Sequence, residues 1–222
     1  MQSHDPQDAR RPLKVRSNPL SKNIAIWLSR KSITPNQISI MSIVFAALSA
    51  FGFVMSVLQI EYRVLWMIIA ALFIQMRLLC NLFDGMVAIE GGKSTASGEL
   101  FNDIPDRISD PLIIIAAGYS VLSLDLGLEL GGLAAMLAIL TAYVRTLAVS
   151  MGAPSNFTGP MAKQHRMALL TVSSIAVAIE HYIWQHDYVM WAALLIMILG
   201  CIWTLFRRTR MAYQYLEHPP EL

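Results

Sequence analysis

The sequence has few charged residues and few cysteines for its length. Only 14% of its 222 residues are charged, whereas a soluble globular domain contains roughly a quarter. Both cysteines, Cys80 and Cys201, lie inside apolar runs, so we expect neither a disulfide framework nor a cysteine metal site. The segment 1–22 has no apolar core, and we therefore expect that it is not a cleaved signal peptide.

Long apolar runs make up most of the chain, since 55% of its residues are hydrophobic. The runs are about 20 residues long, the length that an α-helix needs to cross the hydrocarbon core of a bilayer. We therefore predict an all-α integral membrane protein with six transmembrane helices. The predicted spans cover residues 37–58, 64–89, 98–122, 130–151, 166–184 and 188–206.

A shorter stretch before the first span has the pattern of an amphipathic helix. One face of this helix carries only apolar side chains, those of Leu20, Ile24, Trp27 and Leu28. Such a pattern predicts a helix on the membrane surface, the alternative being an ordinary juxtamembrane linker. Residues 1–17 are polar and basic and are predicted to form a disordered cytoplasmic tail, and residues 211–222 a second tail.

Positive charges are concentrated in alternate loops. With the N-terminus in the cytoplasm, nearly all lysines and arginines outside the spans are cytoplasmic, and the outer loops carry only Arg63. This arrangement obeys the positive-inside rule. We therefore expect both termini in the cytoplasm and the second and third spans joined on the cytoplasmic side. The expected membrane is a bacterial inner (plasma) membrane.

Residues 81–110 place carboxylates and amides between two apolar runs. Charge in a membrane costs several kcal/mol for each group, so intramembrane acids indicate a functional site. At 100° per residue, one arc of about 60° holds Arg77, Asn81, Asp84 and Ala88. An arc of about 100° on the next span holds Glu99, Asn102, Asp103, Asp106 and Asp110. The two stripes face each other if the spans form an antiparallel hairpin, which the short loop favours.

Such a set of oxygen ligands is typical of a hard divalent cation, Mg²⁺, Mn²⁺ or Ca²⁺. At a cytoplasmic membrane surface this cation would serve a phosphate or diphosphate substrate, and a remaining carboxylate would act as general base. The structural alternative is a buried polar hairpin in which Arg77 and Arg107 neutralise the acids.

The pattern resembles the motif of the CDP-alcohol phosphotransferases, also called CDP-alcohol phosphatidyltransferases. Their motif runs D-x2-D-G-x2-A-R, eight residues, G-x3-D-x3-D, and its spacing is kept throughout. The corresponding positions are Asn81, Asp84, Gly85, Ala88, Ile89, Gly98, Asn102 and Asp106. Asn81, Ile89 and Asn102 replace the family's Asp, Arg and Asp.

The resemblance implies a phospholipid-synthesis enzyme in a membrane domain spanning residues 18–210. This enzyme would transfer a phosphatidyl group from CDP-diacylglycerol to an alcohol or phosphoalcohol, releasing CMP, with Asp106 as catalytic base. It would bind Mg²⁺ or Mn²⁺, two ions in the family, and form a homodimer. The expected metal ligands are Asn81, Asp84, Asn102, Asp103, Asp106 and Asp110. The expected CDP-binding residues are Asp84, Gly85, Ala88, Lys93 and Gly98.

A second basic cluster consists of Arg145, Lys163 and Arg166. Three permanent cations beside the acidic stretch would hold an anion, such as the phosphate of an acceptor. Glycerol 3-phosphate is then the first expected acceptor and inositol phosphate the second. Membrane topology alone also explains Lys163 and Arg166.

Two other functions stay open at this stage. The replacements at positions 81, 89 and 102 favour a catalytically inactive relative that binds CDP-lipid or a partner protein. A small ion-coupled transporter would use the acids as a cation path, but the first and last spans carry almost no polar residues for it. No nucleic-acid partner is expected.

Overall fold

The computed structural model describes residues 18–31, 33–93, 95, 97–122, 124–184 and 188–218, apart from the side chains of Leu20 and Glu90. The expected tail 1–17 lies outside these residues. Within them the regular structure is entirely helical. The α-helices are α1 (Pro19–Arg30), α2 (Pro35–Leu58), α3 (Arg63–Glu90), α4 (Gly98–Tyr119), α5 (Gly127–Ser150), α6 (Lys163–Ile183) and α7 (Tyr188–Glu217).

Five of these helices, α2, α3, α5, α6 and α7, are long and apolar enough to cross a membrane. The remaining long helix, α4, has 22 residues but carries the charged half of the motif. It packs against α2 on one side and α5 on the other, and its acids Asp106 and Asp110 are buried. The prediction of an all-α integral membrane protein is confirmed, and α4 completes the six-helix bundle.

The chain enters α2 through a capping box. Thr34 accepts a hydrogen bond from the backbone N–H of Gln37, and the Gln37 side chain accepts one from the backbone N–H of Thr34. Pro35 occupies the first helical turn, where backbone N–H groups have no partner within the helix, so its missing N–H costs no hydrogen bond. The capped start of α2 therefore separates this helix from α1.

Helix α1 packs on the end of α3. Its buried side chains are Ser21 and Ala25, with Leu28 packed beside them. Trp27 remains 56% exposed, and the Lys31 ammonium lies 6.0 Å from the centre of its ring. One face of α1 thus contacts protein while Trp27 stays available to lipid, as expected of a surface helix.

Helix α7 extends beyond the predicted end of the last span at residue 206 and continues to Glu217. Arg208 fixes this extension, because its guanidinium donates to the backbone carbonyls of Thr141 and Thr158. The sequence prediction ended the span where apolar residues end, whereas the helix continues as long as tertiary contacts support it.

The end of the bundle away from the motif is held by two buried charged groups. Arg63, the first residue of α3, is fully buried and donates to the carbonyls of Ser56 and Ser120 at 3.2 and 2.8 Å. Glu180 accepts hydrogen bonds from the backbone N–H groups of Tyr188 and Val189, which caps the start of α7. Charges at this end are therefore structural.

Helices α4 and α5 cross closely at Gly118 and Gly131. A Cβ atom added at Gly118 would lie 2.5 Å from the carbonyl oxygen of Gly127 and 2.8 Å from the Cα of Gly131. Small residues allow such an approach between membrane helices, where van der Waals packing drives association. The crossing fixes α4, and with it the motif's second half, against the bundle.

We expect Gly118→Ala to destabilise the folded protein by about 1–3 kcal/mol, because the added methyl group meets the backbone of α5. This clash should outweigh the roughly 1 kcal/mol that alanine gains over glycine within a helix. Thermal unfolding of the purified protein in detergent, followed by circular dichroism, measures the change. Gly132→Ala is the matched control, since its added methyl group meets no described residue within 4 Å. Equal midpoints for the two variants would contradict the close crossing.

Candidate active site

Asp84 lies on α3 with its carboxylate buried at 4% exposure. The Ser39 hydroxyl of α2 donates to Oδ2 at 2.8 Å, and the backbone N–H of Gly85 donates to Oδ1 at 2.5 Å. Among the described residues no lysine or arginine lies within ion-pair distance of this carboxylate. A buried carboxylate with no cation beside it favours binding of one.

Asp106 lies on α4 and is 8% exposed. Its Oδ1 accepts hydrogen bonds from Arg77 Nη2 at 2.8 Å and Asn81 Nδ2 at 3.1 Å, both on α3. Its Oδ2 pairs with the ammonium of Lys163 at the start of α6. Both carboxylate oxygens of the expected catalytic base are therefore already held by side chains of this chain.

Asp110 lies one helical turn deeper and closes the arrangement. Its Oδ1 is 2.6 Å from Arg77 Nη2, and its Oδ2 is 3.0 Å from Arg166 Nη2. Arg77 thus bridges two carboxylates, and its side chain is completely buried. We call Arg77, Asp106, Asp110, Lys163 and Arg166 the central ion-pair network. It joins α3, α4 and α6 at one point.

Asp103 belongs to a different cluster. Arg107, one turn later on α4, donates to both of its carboxylate oxygens at 2.7 and 2.8 Å. Arg145 of α5 donates to its Oδ1 at 3.0 Å and stacks on the ring of Phe157 at 5.0 Å. Arg77 and Arg107 thus pair with acids of α4, whereas Asp84 has no such partner among the described residues.

Other residues predicted from the motif lie at the edge of this site. Asn102 is exposed, and Ile89, at the position of the family arginine, is 49% exposed. Lys93 donates to the carbonyls of Ser29 at 2.8 Å and Ile33 at 3.3 Å, which caps the end of α1. Reaching a bound nucleotide requires Lys93 to leave those carbonyls.

The acidic side chains of the motif differ in whether a base already pairs with them. Within the described part of the chain, no three Asp, Glu, His or Cys side chains converge as metal ligands. Asp84 offers a carboxylate without a cation, and Asn81 lies one turn before it on the same face. Asp106 and Asp110, by contrast, already carry basic partners on both oxygens. The six expected metal ligands thus separate into four environments, since Asp103 lies in its own cluster and Asn102 is exposed.

Sequence reasoning missed Ser39 and the pairing of Asp110 with Arg166. Nothing in the sequence distinguishes Ser39 from the other serines of α2 that are buried, which are Ser42, Ser49 and Ser56. A signal for the pairing did exist, because opposite charges inside apolar spans usually neutralise each other. The sequence does not show which acid meets which base.

A cavity of about 570 Å³ lies beside the Asp103 cluster, between the end of α5, the loop before α6 and the extension of α7. Its lining includes Arg145, Phe157 and Tyr215. The cavity therefore combines a basic group with aromatic surface beside the Asp103 cluster.

Comparison with known proteins identifies the family. A family model described as CDP-alcohol phosphatidyltransferase matches residues 32–204, which include every motif position on α3 and α4. The inner membrane protein YnbA of Escherichia coli strain K12 is 29% identical over 189 residues, covering 83% of this chain and 86% of YnbA.

Two solved structures of phosphatidylinositol phosphate synthase PgsA1 from Mycobacterium tuberculosis share the fold. The complex with manganese and citrate has a TM-score of 0.72 at 16% identity, covering 87% of this chain and 88% of that chain. The structure with CDP-DAG bound has a TM-score of 0.70 at 16% identity, covering 88% and 94%. At this identity the likeness supports the fold alone. From the family match over most of the chain, we conclude that this protein belongs to the CDP-alcohol phosphatidyltransferase family and is a membrane-embedded transferase of phospholipid synthesis.

Proposed function

We propose that this enzyme transfers a phosphatidyl group from CDP-diacylglycerol to a small alcohol or phosphoalcohol and releases CMP. The observation that carries the proposal is the convergence of Asp84 and Asp106, at the family's spacing, at one buried polar end of the bundle. The fold shared with a PgsA1 structure that has CDP-DAG bound supports a CDP-lipid donor.

The reaction is an in-line displacement at the lipid-linked phosphorus. The acceptor hydroxyl forms a new P–O bond while the P–O bond to the CMP phosphate breaks, and CMP leaves with the electron pair. Asp106 accepts the hydroxyl proton. Its Oδ1 is held by Arg77 and Asn81, whereas the partner of Oδ2 among the described residues is Lys163, whose side chain is 27% exposed. Oδ2 is thus the oxygen that becomes available when Lys163 turns towards another anion.

The donor's CDP group would lie where α3 ends and α4 begins, at Asp84, Gly85, Ala88 and Gly98. Among the described residues, a Cβ atom added at Gly98 would meet the Thr95 hydroxyl alone, at 3.6 Å, which leaves room for a ligand beside the backbone. A divalent ion, Mg²⁺ or Mn²⁺, would be held by Asp84 with Asn81 beside it. When bound, it neutralises the diphosphate and polarises its phosphorus–oxygen bonds.

The acceptor would bind at Arg145 and Lys163. Their side chains are 24% and 27% exposed, and Arg145 lines the adjacent cavity. Arg166 is 3% exposed and donates to Asp110 and to the carbonyl of Met161, so its part in this proposal is to position Asp110. Permanent cations at the acceptor site favour a phosphoalcohol, with glycerol 3-phosphate the first candidate and inositol phosphate the second.

The remaining parts of the proposal concern placement in the membrane. The distribution of lysine and arginine supports cytoplasmic termini and a cytoplasmic site. The name of YnbA, an inner membrane protein, supports the bacterial inner membrane. A homodimer, which the family resemblance implies, is included here as a proposal.

CMP release tests the reaction directly. The purified protein is mixed with CDP-diacylglycerol, Mg²⁺ or Mn²⁺, and a panel of alcohols and phosphoalcohols. We expect metal-dependent release of CMP, and a fall of about 10²–10⁴-fold in Asp106→Asn through loss of the general base. Asp125→Asn, at an exposed turn beyond the end of α4 opposite the motif, is the control. No release from folded wild-type protein with any acceptor would favour the non-catalytic CDP-lipid-binding relative instead.

Arg145→Met tests the acceptor site. We expect the KM for a phosphoalcohol to rise about ten- to a hundredfold, as loss of a hydrogen bond to a charged group predicts. The KM for CDP-diacylglycerol should stay within the error of the assay. Arg210→Met removes an exposed arginine of α7 outside the cavity lining and serves as control. An unchanged acceptor KM in Arg145→Met would remove this residue from the acceptor site.

A further inference from the structure

The charges of the buried site are balanced without any added ion. Three buried acids, Asp84, Asp106 and Asp110, lie at this end of the bundle. Three bases, Arg77, Lys163 and Arg166, are paired with two of these acids. Each divalent ion that enters adds two positive charges to a region shielded from water. The diphosphate of a CDP-lipid carries two negative charges and balances one such ion.

Within the central ion-pair network, Arg77 is held most tightly by its surroundings. Its side chain is completely buried, and Nη2 contacts Asp106 and Asp110 together. Among the described residues, its Nε and Nη1 atoms have no hydrogen-bond partner. Unused guanidinium donors next to Asp106 favour an anion there and oppose a second cation. A metal ion at Asp106 would therefore sit against a fixed positive charge.

Lys163 covers the other oxygen of Asp106, and Asn81 contributes a neutral amide where a carboxylate would strengthen a metal site. Asp84, one turn along α3 from Asn81, is the acid in this set with no ion pair among the described residues. The two motif acids thus have different electrostatic environments, although their spacing alone would make them equivalent ligands.

We propose that Arg77 and Lys163 are resident counter-cations of Asp106, so that the resting centre binds a single divalent ion, at Asp84, and none at Asp106. The inference rests on the proposed function for its choice of ion. It adds to that function by giving Asp84 and Asp106 different roles. Asp84 serves the metal, whereas Asp106 is kept free of metal for proton transfer.

Electron paramagnetic resonance of Mn²⁺ titrated into the purified full chain, without substrate, tests the proposal. We expect about one bound Mn²⁺ per chain, and loss of that ion in Asp84→Asn. In Lys163→Met we expect a second bound Mn²⁺, because removing the ammonium releases Asp106 Oδ2 and leaves the cluster negative. Asn81→Asp combined with Lys163→Met should strengthen the second site further.

Lys22→Met, which removes an exposed lysine of α1, is the matched control and should leave the Mn²⁺ count unchanged. Size-exclusion chromatography and circular dichroism confirm folding, and Lys163→Gln replaces Lys163→Met if the latter is unfolded. Two Mn²⁺ of similar affinity on the wild type, none at all, or no gain on removal of Lys163 would each overturn the proposal. Because no substrate is present, these outcomes are independent of whether CMP is released.

Discussion

The guanidinium of Arg77 bridges two carboxylates in a part of the bundle that water does not reach. Removing one partner of such a pair leaves an uncompensated buried charge. The free-energy penalty of that charge is far larger than the net stabilisation that the intact pair provides. Helices α3 and α4 make few other direct contacts, since α2 packs along both of them. The ion pairs from Arg77 to Asp106 and Asp110 therefore set how the two halves of the motif meet, and the position of Asp84 relative to Asp106 depends on them.

The same constraint explains why α4 can carry so much charge in a membrane protein. Its polar turns are enclosed by bases from α3, α5 and α6, and its apolar second half buries Ile113 and Ile114. The close crossing at Gly118 holds this helix in the protein interior. The ion pairs thus fix the N-terminal half of α4, and the crossing at Gly118 fixes its C-terminal end. Both are needed to hold the motif residues of α4 in position.

Much of this architecture could be predicted from the sequence, because apolar run length and motif spacing are local properties. The spans follow from the run length, and Asp84 and Asp106 follow from the motif spacing as candidate site residues. The partners do not follow, because a helical wheel shows which residues share a face but not which helix that face meets. Asp103 and Asp106 share an arc on α4, yet Asp103 pairs with Arg145 of α5 and Asp106 with residues of α3 and α6.

The proposed base and the proposed acceptor site share one side chain. Lys163 pairs with Asp106 Oδ2 and is partly exposed, whereas the partners of Oδ1 are more deeply fixed. On the function proposed here, an acceptor phosphate that attracts Lys163 does two things at once. It anchors the acceptor near the donor, and it uncovers the oxygen that takes the hydroxyl proton. A neutral alcohol has no charge with which to compete for the ammonium, so Asp106 stays covered. The ion pair that balances the resting site would thereby couple proton transfer to the binding of an anionic acceptor.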